Sequence, residues 1–223
     1  MIRAAARMSR HKLETAIAAA FAAIERVHAR MSFHLPSSDV SRLNERAHRE
    51  TLAVDPWTWE LLTIAAKISR ASAGAFDVTI APDLARWGFL PATVTRLRGS
   101  YRAIELLENH MVRFSQALAI DLGGIAKGFA VDQAARALDA LGIADYMIEA
   151  GGEVRTRGHN AEDRPWQIAI ELPDAMPQRP HLVVPLAGRS MATSGDYRIF
   201  FERDGQRYCH EIDPGTARPI ANG

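Results

Sequence analysis

The sequence contains very little lysine and cysteine. Lys12, Lys67 and Lys127 are the only lysines among 27 basic residues, and Cys209 is the single cysteine. One cysteine excludes an intrachain disulfide framework and any metal site built from several thiolates. The 27 basic residues are balanced by 26 acidic ones, so no positive excess exists to neutralise a nucleic-acid backbone or a membrane surface. Nucleic acid is therefore not an expected partner.

Long hydrophobic runs are also missing. The most apolar stretch near the start, residues 16–24, is bracketed by Glu14 and Glu25 and falls well short of the roughly 20 residues that span a bilayer. It does not resemble a signal peptide followed by a cleavage site. The chain nevertheless has 223 residues, 48% of them hydrophobic, which is enough for a substantial core and excludes disorder as the main state.

Three amphipathic helices are predicted from the spacing of apolar residues. The first follows Ser9, a suitable cap, and its apolar face consists of Leu13, Ile17, Phe21, Ile24, Val27 and Met31. The second starts at Asp55-Pro56, ends near Gly74 and turns inward Leu61, Leu62, Ile64, Ala65 and Ile68. The third ends at Gly142 and turns inward Phe129, Val131, Ala134, Ala135, Leu138 and Leu141.

Strands are predicted where apolar residues alternate or form short runs. The expected strands are residues 76–80, a meander within 101–120, and residues 146–148, 153–156, 166–171, 181–186 and 197–212, the last folded at Asp204-Gly205. Because the strands and helices follow no regular βαβ repeat, the expected class is α+β, with helices packed on antiparallel sheets. The absence of a linker or repeat indicates a single domain, residues 1–223.

Two loops contain residues suited to chemistry. The glycine-rich segment 121–128 leads into a helix, where backbone N–H groups favour an anion such as a diphosphate. It matches neither GxGxxG nor GxxxxGK[ST], and a purely structural turn is an equal alternative. The second loop gathers residues 193–197 with His210, Asp213 and Thr216, which offer a base, an oxygen ligand and a hydroxyl. An ordinary Asp-Pro turn beside a surface histidine explains it equally well.

Taken together, the motifs resemble those of the ApbE-like FAD:protein FMN transferases in wording and order. The motifs are residues 32–44, 74–79, 87–89, 121–132, 151–153, 193–197 and 210–214. The resemblance covers nearly the whole chain and implies an ApbE-like fold, in agreement with the α+β expectation.

The resemblance also implies an activity and a set of site residues. The family splits the FAD diphosphate in a Mg²⁺-dependent reaction, passes FMN to a threonine hydroxyl of an acceptor flavoprotein and releases AMP. By matching motif positions, the flavin and adenosine contacts fall on Phe33, Ala75, Phe76, Asp77, Lys127 and Ile212, the backbone metal ligand on Gly124, and the base on His210. The family commonly acts on the periplasmic side of the bacterial inner membrane.

The residue types agree with these implied roles. Phe33 can cover a ring, Asp77 can accept hydrogen bonds from a ligand, and the Lys127 ammonium is a point charge suited to phosphate. Phe33 and Phe76 can equally be ordinary core aromatics. A lysine at a helix start opposes the helix dipole, which favours a ligand role for Lys127.

The chain departs from the family pattern at both ends. The usual first strand is expected to be absent or reduced to residues 1–8, and no position matches the acidic and threonine metal ligands that follow the DP-x-T-G-x-P motif. Ala217 replaces a glycine and Cys209 a serine. Because of these departures, the chain is expected to be either a truncated or a diverged member, and a weak or inactive transferase. A hydrolase that splits FAD with water and a non-catalytic flavin-binding module are the alternatives.

Overall fold

The computed structural model describes residues 1–6, 8–92, 94, 96–172, 179–195, 199–203 and 205–220. Within these ranges the helices are α1 (Arg10–Met31), α2 (Asp39–Arg46), α3 (Pro56–Ala71), α4 (Ala81–Arg86) and α5 (Gly123–Ala140). Short 3₁₀ helices cover Val78–Ile80, Tyr101–Ala103 and Glu108–His110. None of the described helices is long and apolar enough to cross a membrane.

The strands pair exclusively antiparallel among the described residues. They are β1 (Ile2–Ala5), β2 (Leu52–Ala53), β3 (Ile104–Leu107), β4 (Met111–Phe114), β5 (Asp145–Ala150), β6 (Glu153–Arg157), β7 (Trp166–Glu171), β8 (Pro180–Leu186), β9 (Ser190–Met191), β10 (Phe200–Arg203), β11 (Gln206–Cys209), β12 (Ile212–Asp213) and β13 (Arg218–Pro219). Helices mixed with antiparallel sheets confirm the α+β class.

The chain divides into two compact units. The first comprises Met1–Arg26 and Lys127–Tyr197, and the second comprises Val27–Ala126 and Arg198–Gly223. The division falls within α1 and α5. Neither unit is a continuous piece of the sequence, and the single domain over residues 1–223 stays a prediction.

The first unit is built on a four-stranded sheet in the order β1-β5-β6-β9. Its core joins α1, α5 and β5 through the buried residues Ala16, Ala20, Val131, Ala134, Ala135, Leu138, Ile143, Tyr146 and Ile148. Alanines on α1 allow close packing, so this helix contributes to the core mainly through small side chains. A second ribbon, β7-β8, contributes Trp166 to a smaller cluster with Met147 and Val154.

The second unit contains the sheet β2-β4-β3, the β10-β11 hairpin and the short β12-β13 pair. Its helices begin at side-chain caps: Ser38 accepts the Ser41 N–H at 3.0 Å before α2, and Asp55 accepts the Trp57 N–H at 2.9 Å before α3. The predicted Asp55-Pro56 start is thereby confirmed. Cys209, at the end of β11, is buried with its Sγ 3.5 Å from the Ile220 carbonyl oxygen.

Several predictions about local structure are wrong. Residues 76–80 do not form a strand, because the Asp77 carboxylate caps the Val78–Ile80 3₁₀ helix and turns the chain there. Phe21, Ile68 and Leu141 are not inward, since 43%, 40% and 46% of their surfaces are exposed. The first strand, expected to be absent or reduced to residues 1–8, is present there as β1 and pairs with β5 over four residues.

Three residues of the predicted motifs lie outside the part of the chain that the structure describes. Asp196 and Tyr197 of the 193–197 motif, and Asp204 of the predicted hairpin turn, lie outside the described residues. The hairpin itself is confirmed, since Arg203 pairs with Gln206 and Phe200 pairs with Cys209.

Candidate active site

Asp77 lies in a turn that its own carboxylate organises. Oδ1 accepts the N–H and the hydroxyl of Thr79, each at 2.9 Å, and Oδ2 accepts the Tyr101 N–H at 3.1 Å. The residue is 6% exposed. A carboxylate offers about four acceptor positions, so the protein itself occupies most of them. Asp77 therefore shapes the turn that presents Phe76, and its role as a direct ligand contact stays a prediction.

The glycine-rich loop is held from two directions within the second unit. The Asn44 side chain accepts the Ile120 N–H at 2.7 Å and donates to the Ile120 carbonyl at 2.9 Å. The next residue, Asp121, donates its N–H to the Val78 carbonyl at 2.8 Å. These bonds fix the backbone just before the loop and tie it to the Asp77 turn.

The Phe76 ring lies close to Gly124 of the glycine-rich loop. A Cβ built on Gly124 would lie 3.8 Å from Cε2 of Phe76, so the aromatic ring packs beside an exposed stretch of loop backbone. On Gly123 a Cβ would lie 2.8 Å from Oδ2 of Asp121, which already accepts the Gly123 N–H at 2.9 Å. A side chain at position 123 would therefore require the Asp121 carboxylate to move.

The pKa of the Asp121 carboxyl is shifted by its surroundings. Burial raises its pKa from 3.8, and the Gly123 N–H and the charge of His34 partly oppose the rise. The His34 interaction also brings the loop that carries Phe33 near Asp121. Phe33 is half-buried, with its ring edge-on to His34 at 6.0 Å between centroids.

Lys127 belongs to the first unit, in the second turn of α5. Its Nζ lies 2.9 Å from Oε1 of Glu153 and donates to the Gly151 carbonyl at 3.3 Å. About half of its side chain, 51%, is exposed. The ammonium is therefore both held by the protein and accessible from solvent.

His210 follows a hairpin whose aromatic residues stack on one another. Tyr208 stacks on Trp87 and on Phe201, with 5.3 Å between ring centroids in both cases. Phe89 contacts Phe201 at 5.6 Å and meets the His210 ring edge-on at 6.3 Å. Nδ1 of His210 is buried and has no hydrogen-bond partner among the residues that the structure describes. The stack therefore fixes the position of the His210 ring, and its role as the base stays a prediction.

The Asp213 turn lies directly after β12. Asp213 accepts the Gly215 N–H and the Thr216 hydroxyl, each at 2.8 Å. The Thr216 hydrogen bond, followed by that of Gly215, lowers the pKa of the Asp213 carboxyl. Ala217 adopts φ +58°, a left-handed conformation that favours glycine, and its carbonyl accepts the Trp87 indole N–H at 3.0 Å.

The contacts assemble the predicted residues of the second unit into two groups. Phe33, Phe76, Asp77 and Gly124 belong with the Asp121 loop, and the exposed Ala75 precedes Phe76 in the same turn. His210 belongs with the aromatic stack, and Ile212, 6% exposed, forms β12 beside it. Lys127 is described with the first unit.

Comparison with known proteins identifies the family. The sequence model of the ApbE family matches residues 2–223. The chain belongs to the ApbE family. It is 38% identical to the FAD:protein FMN transferase of Haemophilus influenzae, over 89% of this chain and 63% of that protein. For the FAD:protein FMN transferase of Vibrio cholerae the identity is 37%, with the same two coverages of 89% and 63%. This ApbE-family chain thus spans about 63% of the length of these relatives.

Solved ApbE structures have the same fold. The flavin transferase ApbE from Vibrio cholerae superposes with a TM-score of 0.82 at 33% identity, covering 99% of this chain and 74% of that one. The ApbE protein from Thermotoga maritima gives a TM-score of 0.83 at 29% identity, covering 98% of this chain and 74% of that one. The ApbE-like α+β fold predicted from the sequence is confirmed.

Among the described residues of this ApbE-family chain, the oxygen donors do not form a complete magnesium site. Mg²⁺ takes six oxygen ligands in near-octahedral geometry, and the Gly124 carbonyl stays a predicted ligand. No group of three or more His, Cys, Asp or Glu side chains suited to a metal occurs within the described ranges. Both Asp213 oxygens already accept hydrogen bonds from Gly215 and Thr216. The described residues therefore do not fit a protein-only Mg²⁺ site.

Three residues of this ApbE fold with contacts at the site were not among the predicted site residues: Asn44, Trp87 and Glu153. Asn44 and Ile120 are 76 positions apart, and Trp87 reaches Ala217 across 130 positions. All three lie in motifs quoted for the family resemblance, which was the available signal. Their partners follow only from the tertiary structure.

Proposed function

We propose that the chain is a FAD:protein FMN transferase, which moves FMN from FAD to a threonine hydroxyl of an acceptor flavoprotein and releases AMP. The observation that carries the proposal is family membership across residues 2–223. Relatives named FAD:protein FMN transferase at 37–38% identity support it. Because this chain spans about 63% of those relatives, the activity is stated as a proposal for this chain.

The proposed reaction is a balanced phosphoryl transfer. The threonine Oγ attacks the phosphorus on the FMN side of the diphosphate, and the bond from that phosphorus to the bridging oxygen breaks. The electron pair of that bond leaves with AMP. His210 accepts the hydroxyl proton as the threonine attacks. Lys127 interacts with the diphosphate and offsets the charge that develops on its oxygens.

The remaining site residues are proposed to bind and orient FAD. Phe33 and Phe76 offer aromatic faces for a ring system, and Ala75 and Ile212 add contacts. Asp77 has its oxygens occupied by Thr79 and Tyr101, so its contribution is first to hold Phe76 in place. Direct contact with the ligand uses the remaining acceptor capacity of its carboxylate.

Two finer proposals rest on the family resemblance. The reaction is proposed to require Mg²⁺, with the Gly124 carbonyl as the ligand from this chain and no described side chain assigned to the ion. The protein is proposed to act on the periplasmic side of the bacterial inner membrane. The requirement for Mg²⁺ is tested by measuring AMP release before and after chelation with EDTA.

The decisive experiment measures two products in parallel. The chain is incubated with FAD, Mg²⁺ and an acceptor domain that contains the target threonine, and both free AMP and covalently bound flavin are quantified. Equal amounts of both products are expected. AMP without flavinylated acceptor would instead identify a hydrolase, and FAD binding without AMP would identify a non-catalytic module.

A histidine pair tests the assignment of the base. H210A is expected to retain FAD binding and to lower the transfer rate by about a hundredfold, as for loss of a general base. H181A, which removes an exposed histidine of β8, is the matched control and is expected to behave as the parent protein. Equal transfer rates in H210A and H181A would remove His210 from the reaction.

A further inference from the structure

The Lys127 ammonium has two protein acceptors on one short turn. Glu153 Oε1 lies 2.9 Å from Nζ, and the Gly151 carbonyl accepts a hydrogen bond from Nζ at 3.3 Å. Gly151 lies in the turn between β5 and β6, and Glu153 is the first residue of β6. An ammonium has three N–H donors, so this arrangement leaves one donor available for a further acceptor.

The turn is shaped to bring these acceptors close to the lysine stem. Gly151 and Gly152 adopt φ values of +62° and +96°, which favour glycine. A Cβ on Gly151 would lie 3.4 Å from Cδ of Lys127, so the turn backbone packs close to the lysine stem. The Gly152 N–H donates to Oε1 of Glu149 at 3.1 Å and fixes the turn from the other side.

Stability alone does not explain the Lys127–Glu153 pair. Lys127 lies in the second turn of α5, in the N-terminal half of the helix, where the helix dipole does not stabilise a positive charge. Oε2 of Glu153 is buried without a hydrogen-bond partner among the described residues, and burial of an unpartnered polar atom is unfavourable. Ion pairs that include an exposed lysine contribute little on average. The Lys127–Glu153 ion pair therefore contributes little to the stability of the fold.

We propose that Glu153 is a positioning residue, which together with the Gly151 carbonyl directs the Lys127 ammonium toward the diphosphate of FAD. This inference rests on the proposed function, which assigns Lys127 to the diphosphate. A lysine side chain has many rotamers, and two fixed acceptors remove most of that freedom before the ligand binds. In protein kinases a glutamate likewise holds the lysine that contacts the ATP phosphates.

A double-mutant cycle with two ligands tests the inference. FAD and riboflavin affinities are measured by fluorescence titration for the full chain and for E153A, E153Q, K127A and the E153A/K127A double variant. Loss of the charged contact in E153A is expected to weaken FAD binding about tenfold and to leave riboflavin binding within twofold. E153Q is expected to fall between E153A and the parent protein, because its amide oxygen still accepts a hydrogen bond.

The cycle separates an effect through Lys127 from a general structural effect. In the K127A background, E153A is expected to cause no further loss of FAD affinity. D139N is the matched control, because Asp139 on α5 pairs with Arg157 on β6 at 2.6 Å and joins the same two elements without Lys127. D139N is expected to leave both affinities unchanged. Urea midpoints identify any variant that fails to fold. If E153A fails to fold, E153Q replaces it in the cycle.

The outcomes distinguish the inference from the proposed function. If the parent chain binds FAD and K127A weakens that binding, unchanged or tighter FAD binding in E153A overturns the inference alone. Equal losses for FAD and riboflavin in E153A, or a full further loss in the K127A background, overturn it as well. A parent chain that does not bind FAD, or a K127A variant with full FAD affinity, refutes the assignment of the diphosphate to Lys127 on which the inference rests.

Discussion

The Asp77 turn and the Asp213 turn use the same chemistry in different surroundings. In each, an aspartate accepts the N–H two residues ahead and the hydroxyl of a nearby threonine. Asp77 is 6% exposed and also accepts the N–H of Tyr101, 24 positions away. The hydrogen bonds of the half-exposed Asp213 carboxylate stay within three residues.

This difference shows what makes a local turn part of the tertiary structure. Both carboxylates organise their own loop, but the carboxylate of Asp77 also connects two distant segments in a place that water does not reach. Removing a partner there leaves buried N–H groups unsatisfied, whereas water replaces the lost partner at Asp213. Asp77 is therefore expected to dominate stability, and Asp213 to have a small local effect.

The largest effect is expected for D77A. Loss of three hydrogen bonds to a buried charge lowers the free energy of unfolding by about 3 kcal/mol, measured by urea denaturation. FAD affinity is expected to fall by about 1 to 3 kcal/mol in the same variant. Unchanged stability together with lost FAD binding would contradict the structural role and make Asp77 a ligand contact alone.

The paired variants T79V and T216V compare the two threonines directly. Thr79 is fully buried, and T79V removes a hydroxyl that donates to a buried carboxylate, so the free energy of unfolding falls by about 2 kcal/mol. Thr216 is exposed, so water replaces its lost hydroxyl, and T216V is expected to lower the urea midpoint at neutral pH only slightly. Similar midpoint shifts in both variants would show that burial does not distinguish the turns.

A smaller effect, of opposite sign, is expected for A217G. Ala217 adopts φ +58°, and relief of this left-handed strain raises the free energy of unfolding by about 1 kcal/mol. The control is A53G at an exposed position of β2, where glycine costs about 0.5 to 1 kcal/mol. Thermal melting measures both. A lower melting temperature for A217G would mean that the turn requires the alanine side chain.

The smallest effect concerns the pH dependence contributed by Asp213. Its pKa is lowered from 3.8 in the folded protein, so the ionised carboxylate contributes stability above pH 3.8 that is lost as the pH falls through the folded pKa. Urea midpoints of the parent chain and D213N, compared from pH 7 down to pH 3, are expected to converge only at the acid end. A constant difference across this range would exclude Asp213 as the titrating group.

The sequence predicted those elements whose signals are local. The Asp55-Pro56 helix start and the β10-β11 hairpin depend on short-range backbone chemistry, and β7 matches its predicted range of Trp166–Glu171. Residues 76–80 alternate like a strand, but the Asp77 side chain competes for the backbone N–H groups and closes a turn. The alternation alone contains no information on that competition.

Long-range contacts account for what the sequence did not predict. The face of α1 was predicted from its largest side chains, yet Ala16 and Ala20 are buried and Phe21 is exposed, because close helix packing selects small residues. The pairing of Asn44 with Ile120, and of Lys127 with Glu153, depends on which segments meet in the fold. The family resemblance identified these segments, and the tertiary fold determines which of their residues are in contact.

Because Cys209 is buried, the rate at which its thiol reacts can report local opening of the structure around it. It is the sole thiol in the chain, 1% exposed, with its sulfur against the Ile220 carbonyl. A water-soluble thiol reagent can react only after this segment separates, so the labelling rate reports how often that occurs. Because His210 is the next residue, the same labelling kinetics report local opening of the backbone that supports the proposed base, without any engineered cysteine.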